Sequence, residues 1–190
     1  AFQWSPDGKY LAYYRFDERK VPEYTLPIYN GLYPENYKYK YPKAGEPNSV
    51  VEIRIHNLSD GSSVTVQTGK ETDQYIPRIK WTKNPSALCV YRLNRLQNHL
   101  ELLLADACSG VSEVIYTETN KYYIDINDNL EFLPGGNTFI FTSERDKYNH
   151  LYSWNWKSRE LKELTPGSYD IDQIVGIDVK RKKVYYTAAE

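Results

Sequence analysis

The sequence predicts an all-β chain, a partial β-propeller of four-stranded antiparallel blades holding about three blades plus the start of a fourth. Three observations predict it. The 190 residues include 19 Tyr, 4 Trp and 5 Phe, types that favour strands. Short Val/Ile/Tyr runs bounded by turn residues fill the chain, and helix-period segments are nearly absent. One hairpin-like unit also recurs at long intervals.

The recurrence is read residue against residue. Phe2-Gln3-Trp4-Ser5-Pro6-Asp7-Gly8-Lys9-Tyr10-Leu11-Ala12-Tyr13 lies over the run from Leu130 to Phe141 at a constant offset of 128, without a gap and with apolar facing apolar. Shifted by 77, Trp4, Leu11 and Tyr13 fall on Trp81, Leu88 and Val90; shifted by 173, on Ile177, Val184 and Tyr186. Each copy is an alternating strand, a tight polar turn and a second apolar strand, which makes a β-hairpin. The hairpins are placed near Phe2, Ile79, Leu130 and Val175.

A further strand pair follows each of the first three. Residues 51–58 turn at Asp60-Gly61 into residues 64–68. Residues 94–106 are the best helix candidate, but Leu100, Leu102, Leu103 and Leu104 fit a strand from Leu100 onward, turning near Ser109-Gly110. Residues 151–156 turn at Lys157-Ser158. The anchors are spaced by 77, 51 and 45 residues, against roughly 40–50 for a propeller blade. The first spacing is long because of the irregular Tyr/Pro-rich residues 17–49, read as an insertion in one blade. A closed ring takes about 4–8 blades, so residues 1–190 are expected to be a fragment of one propeller domain, with unpaired strand edges where the arc is cut. The chain has no Met and opens inside a strand-like run, which agrees with an excised piece.

Composition narrows the function classes. Hydrophobic residues at 41% supply a core, and a net charge of −1 gives no global field for nucleic acid or an anionic membrane. Apolar stretches such as Leu102 to Ala105 fall far short of the ~20 residues that cross a bilayer. Cys89 and Cys108 lack zinc spacing and read as two buried thiols, or alternatively one bridge.

Several motifs bear on chemistry. Gly110-Val111-Ser112-Glu113-Val114 approaches a nucleophile elbow but lacks the second Gly, so Ser112 reads as a turn serine. His56, His99 and His150 occupy corresponding strand-pair positions in successive units and are not expected to cluster. Asp125-Ile126-Asn127-Asp128-Asn129 opens like a calcium loop, but Leu130 stands where Gly is needed and Gly136 where the bidentate Glu is needed. It reads as a polar rim loop. Ser5-Pro6-Asp7-Gly8 differs from a sialidase Asp-box, and Lys180-Arg181-Lys182-Lys183 reads as a solvated turn. Tyr37-Lys38-Tyr39-Lys40-Tyr41 alternates so that three Tyr share one strand face and both Lys the other. Asn57-Leu58-Ser59 is a glycosylation sequon, uninformative alone. No metal, cofactor or nucleic-acid partner is expected.

Trp4-Ser5-Pro6-Asp7-Gly8 with Leu11-Ala12-Tyr13, Val21-Pro22-Glu23-Tyr24, Tyr41-Pro42-Lys43-Ala44-Gly45, Arg92-Leu93-Asn94-Arg95-Leu96-Gln97-Asn98, and Ser143-Glu144-Arg145-Asp146 with His150-Leu151-Tyr152 occur in an order that resembles the propeller of the dipeptidyl peptidase IV family, in the prolyl oligopeptidase clan. The resemblance runs from Trp4 to Tyr152. It implies an eight-bladed propeller joined to an α/β-hydrolase domain that releases N-terminal dipeptides with Pro or Ala second. It also implies an adjacent Glu pair that holds the substrate's amino terminus, expected before Ala1, and a Ser/Asp/His set expected beyond Glu190. No catalytic or substrate-binding residue is therefore assigned within the chain.

The expected function is that of a substrate gate and scaffold for a serine-type dipeptidyl aminopeptidase, inactive alone. The resemblance further implies a homodimer through a 23–43 arm, which holds six Tyr, and an extracytoplasmic setting, periplasmic or secreted or at the cell surface. The alternatives are a non-catalytic protein-binding propeller, including relatives of the family that lost the serine, and an unrelated propeller enzyme such as a glycosidase.

Overall fold

The computed structural model describes residues 1–189. Strands β1 (Phe2–Trp4) and β2 (Tyr10–Asp17) open the first blade. Strands β3 (Glu23–Ile28) and β4 (Glu35–Lys40) then leave it as a separate two-stranded ribbon, and β5 (Val50–Asn57) and β6 (Ser63–Thr65) complete it in the order β1-β2-β5-β6. In the second blade β7 (Gln74–Tyr75) and β8 (Ile79–Trp81) both pair with β9 (Ala87–Asn94), forming one inner strand broken at residues 76–78; β10 (His99–Asp106) and β11 (Ser112–Thr119) lie outside. The third blade is β12 (Leu130–Phe132), β13 (Thr138–Ser143), β14 (His150–Asn155) and β15 (Glu160–Glu163) in sequence order. The hairpin of β16 (Asp170–Asp178) and β17 (Lys183–Ala189) begins a fourth. The chain is an all-β partial propeller.

The repeat is visible as a repeated register. Trp4 faces Leu11, Trp81 faces Leu88, Phe132 faces Phe139 and Ile177 faces Val184, each an antiparallel pair at the turn end of its hairpin. The fourth copy departs from the expected start near Val175. It begins at Asp170, and irregularities between Ile171/Gln173 and Ile174/Gly176 drop Val175 from the ladder. An extra residue of this kind tightens the local twist and re-aims the strand.

Residues 94–106 form a turn and the strand β10, because the sheet buries both faces of that strand. Leu100 and Leu102 enter the core between the second and third blades, while Leu103 and Ala105 enter the core between the first and second. On β9 the same alternation sends Leu88 and Val90 one way and Cys89, Tyr91 and Leu93 the other. That explains why these strands read as continuous apolar runs. A third core, around Ile140, Leu151 and Ile171, joins the third blade to β16. The outer strands β6 and β15 are protected differently: β6 is three residues long and β15 reads Glu-Leu-Lys-Glu, so neither offers a flat apolar edge.

Three sequence readings need correction. Residues 17–49 are not irregular throughout: β2 runs to Asp17, and most of the insertion is the β3-β4 ribbon. The two thiols are not both buried; Cys89 is buried, Cys108 is exposed, and both are free. His99 and His150 each open the third strand of a blade, but His56 lies one residue from the end of its strand, so the three positions do not all correspond.

Candidate functional site

In an antiparallel blade, the turn between second and third strands and the connection to the next blade emerge at the same end. That rim therefore carries the inserted ribbon, the turns at residues 95–98 and 144–149, and the interblade connections at 120–129 and 164–169. The motifs Val21-Pro22-Glu23-Tyr24, Tyr41-Pro42-Lys43-Ala44-Gly45, Arg95-Leu96-Gln97-Asn98 and Glu144-Arg145-Asp146 all sit here, whereas the Ser5-Pro6-Asp7-Gly8 turn is at the opposite rim.

On this rim a cleft of about 300 Å³ opens between the second and third blades, with β16 closing one side. Tyr116, Glu118, Phe141 and Ser143 of its lining also belong to an ionic and aromatic cluster centred on Arg145, which lies outside the lining. The guanidinium donates to the hydroxyls of Ser143 and Tyr116 and to Glu118 Oε2 at 3.2 Å. Its carbon stands 4.8 Å from the ring centre of Tyr152, 5.6 Å from Phe141 and 5.9 Å from Tyr116. Ser143 and Tyr116 both donate to Glu118, the latter at 2.7 Å. Burial, together with the neighbouring Glu118, pushes the Tyr116 phenol far above its ordinary value. Tyr116 therefore stays a neutral donor across the physiological range.

The cleft wall is acidic. Asp125, Glu144 and Asp172 line it, and no Lys or Arg does. The Glu144 carboxyl is raised above the usual carboxylate range, chiefly by burial and then by Asp125, Asp170 and Glu118. Asn129 fixes β16 against the third blade: its Nδ2 donates to Asp172 O at 2.9 Å, and its Oδ1 accepts from Ile174 N at 2.9 Å. The Asp125 to Asn129 loop thus spends an Asn oxygen on the neighbouring strand, and Asn127 Oδ1 accepts from Asn129 N at 3.0 Å. These are turn and docking contacts, as the polar-loop reading requires.

The other singled-out residues are dispersed. Ser112 Oγ donates to Gln67 O at 2.5 Å and ties β11 to the first blade. His56 contacts Ser63 Oγ at 2.9 Å, His99 lies 3.8 Å from Glu101, and His150 is enclosed between the Tyr148 and Tyr169 rings, so the three sit in three blades and none reaches Ser112. Ser5 Oγ donates to Asp7 Oδ1 at 2.7 Å and accepts from Tyr10 N at 3.0 Å, a self-contained turn. Among the described residues no group of three or more His, Cys, Asp or Glu has metal-holding geometry, and no helix is long and apolar enough to cross a membrane.

Ser143-Glu144-Arg145-Asp146 carries the family resemblance in the sequence, but the role of Arg145 is not legible there. The available signal was an Arg between acidic residues, next to strands rich in Tyr and Phe.

The ribbon is the second notable feature of this rim. Tyr37, Tyr39 and Tyr41 lie along one face with ring centres 5.5 and 5.9 Å apart, and Tyr24 across the ribbon packs against Tyr39 and Tyr41 at 5.9 Å each. On the other face Lys40 donates to Val21 O at 3.0 Å and Lys38 pairs with Glu23 at 3.6 Å. The tip exposes Tyr29, Leu32 and Tyr33 at 75%, 99% and 84%.

Four-stranded blades in a repeated register, packed face to face around interblade cores, define a β-propeller with a decorated rim. Comparison with known proteins gives the family. The chain matches the model of the dipeptidyl peptidase IV (DPP IV) N-terminal region over residues 1–190, and it belongs to that family. It is 28% identical to dipeptidyl peptidase 4 of Trichophyton equinum over 203 residues, covering 100% of this chain and 26% of that protein. It is 29% identical to the inactive dipeptidyl peptidase 10 of Rattus norvegicus, again over 100% of this chain and 26% of the relative. The crystal structure of Porphyromonas gingivalis dipeptidyl peptidase 4 superposes with a TM-score of 0.88 at 40% identity, covering 100% of this chain and 27% of that one. The chain thus spans about a quarter of the length of the curated relatives it matches.

Proposed function

We propose that this chain is the propeller portion of a serine-type dipeptidyl aminopeptidase releasing X-Pro or X-Ala dipeptides from peptide amino termini, and that it serves as gate and scaffold without activity of its own. The observation that carries the reading is the match along the whole chain to the family's N-terminal region, together with 40% identity to a dipeptidyl peptidase 4 of known structure. Acyl transfer needs a nucleophile, a base and oxyanion donors around one carbonyl. The dispersed Ser112, His56, His99 and His150 supply no such set. On this reading the rim bearing the acidic cleft faces the peptide.

The test compares the 190-residue chain with the complete protein on a chromogenic Gly-Pro amide, with an elbow-Ser→Ala variant of the complete protein as blank. Turnover by the complete protein and none by the fragment above the blank is expected. Turnover by the fragment would overturn the scaffold role.

A second reading, a non-catalytic protein-binding propeller, is favoured by one observation, the 29% identity to an inactive relative. The complete gene separates the two, read for G-x-S-x-G in its hydrolase region and for adjacent Glu residues before the Trp4 strand.

We also propose that the 23–43 arm contributes to a homodimer, because its exposed Tyr and Leu tip is the composition enriched at interface cores. Deleting the arm from the complete protein is expected to shift sedimentation from dimer to monomer; an unchanged dimer rejects the assignment. An extracytoplasmic location, the remaining part of the proposal, is checked by fractionating cells that express the complete protein.

A further inference from the structure

The two faces of the first blade are not alike. Ala12, Ile53 and Ile55 point into the core shared with the second blade, so strand alternation turns Phe2, Trp4, Tyr13 and Arg54 the other way. Trp4 and Phe2 are 51% and 63% exposed on that outward face, whereas Trp81 and Phe132, which hold the register position of Trp4 in the next two blades, are 8% and 3% exposed.

The repeat shows what covers such a face. Tyr13 and Arg54 pair at the register position of Val90 and Leu103 in the second blade and of Phe141 and Tyr152 in the third. Both of those pairs are buried, the first in a core with Ala12, Ile53 and Ile55 of the first blade, the second in a core with Cys89, Tyr91 and Leu93 of the second. In each case the cover is the blade before.

One residue breaks the pattern of the repeat. Where the other blades place Leu103 and Tyr152, the first places an arginine. Arg54 is partly buried already, with Nε enclosed and unpaired. Among the described residues it has no ion-pair partner: Glu52, two residues away on the same face, is held by Arg15 at 2.8 Å, and His56 on the other side contacts Ser63 Oγ at 2.9 Å. A cation at a position that interblade packing buries calls for an anion on the covering surface, because neutral acceptors leave its charge uncompensated in a low dielectric.

We propose that a further blade of the complete protein packs on this face and that its facing strand supplies a carboxylate to the Arg54 guanidinium. The occupant must match Phe2 and Trp4 with apolar side chains and Arg54 with an acidic one. Chain for such a blade exists in the relatives, since this chain covers 26% of a curated dipeptidyl peptidase 4, and a closed ring takes about 4–8 blades. The inference rests on the propeller repeat and stands whether or not the complete protein cleaves peptides.

The test uses the complete protein with the photocrosslinker p-benzoylphenylalanine at Tyr13 and, separately, at Phe2. Mass spectrometry is expected to find, from both positions, an intramolecular crosslink to one strand outside residues 1–190 that holds an Asp or Glu. Arg54→Met is then combined with the Asn or Gln replacement of that carboxylate. Each single variant is expected to lower the urea midpoint, and the double to lower it by less than the sum of the two, because each single leaves one charge buried alone. Crosslinks to a second copy, to another protein or to a strand without a carboxylate, no crosslink from either position, an Arg54→Met variant with an unchanged midpoint, or midpoint losses that add in the double variant each overturn the proposal.

Discussion

Gly110, at the turn between β10 and β11, lies directly against the carbonyl of Thr65 on the outer strand of the preceding blade. Its φ of +73° belongs to the left-handed region, and a Cβ added there would penetrate the Thr65 carbonyl oxygen. The approach lets Gly110 O accept from Gln67 N at 2.8 Å, a backbone bond between the first and second blades.

Gly110→Ala is expected to cost about 3 kcal/mol, because the strained φ and a backbone collision add, whereas Gly8→Ala should cost about 1 kcal/mol. Gly8 has a similar φ of +70° but open space around it. Urea unfolding of both variants measures the difference, and equal losses would show that the interblade approach is not restrictive.

Arg145 joins a carboxylate, two hydroxyls and three rings from β11, β13 and β14. Arg145→Leu is expected to lose about 1–3 kcal/mol of stability, since the half-buried Glu118 is left without its cation. Arg145→Lys should recover only part, because the charge survives but the planar fork and the stacking do not. A loss under about 0.5 kcal/mol in the Leu variant would class the pair with exposed ion pairs of little consequence.

Glu144 gives a pH dependence with a definite sign. Its carboxyl holds a proton more readily in the folded chain than in the unfolded one, from burial first and then from Asp125 in the interblade loop, Asp170 on β16 and Glu118 on β11. Between the ordinary carboxylate value and the raised folded value the native state binds more protons, so stability falls as pH rises through that window. Glu144→Gln is expected to be more stable than the parent above the window, with the advantage vanishing below it. Urea midpoints across acid to neutral pH test this, and a gain confined to low pH would reverse the assignment.

The two thiols should separate cleanly. Burial pushes the Cys89 thiol far above its ordinary value, and the side chain is wholly enclosed. Cys108 is exposed, 3.3 Å from Tyr10 Oη. One thiol is expected to react with a disulfide reagent in the native chain and both after denaturation, and Cys108→Ser should abolish the native reaction. Two native equivalents would mean that the second blade opens readily.

Because strand alternation and turn chemistry are local, the hairpins are readable without a structure: Trp4 opposite Leu11 and its three copies are legible as an offset in a string. The sequence also determines the faces of the tyrosine strand, since period two leaves no other arrangement. It does not reveal β3 as that strand's partner. Pro27 within β3 argues against a strand in sequence, and only the pairing of Glu23–Ile28 with Glu35–Lys40 in an isolated ribbon shows a place where a missing N–H is tolerated. The exposure of Cys108, the slip at Val175 and the cleft itself were decided by tertiary structure. Glu118 meets Arg145 27 residues away, and Asn129 meets Asp172 43 residues away. Such meetings depend on how one blade's side chains fill the grooves of the next, a property of the assembled sheets that no window of sequence contains.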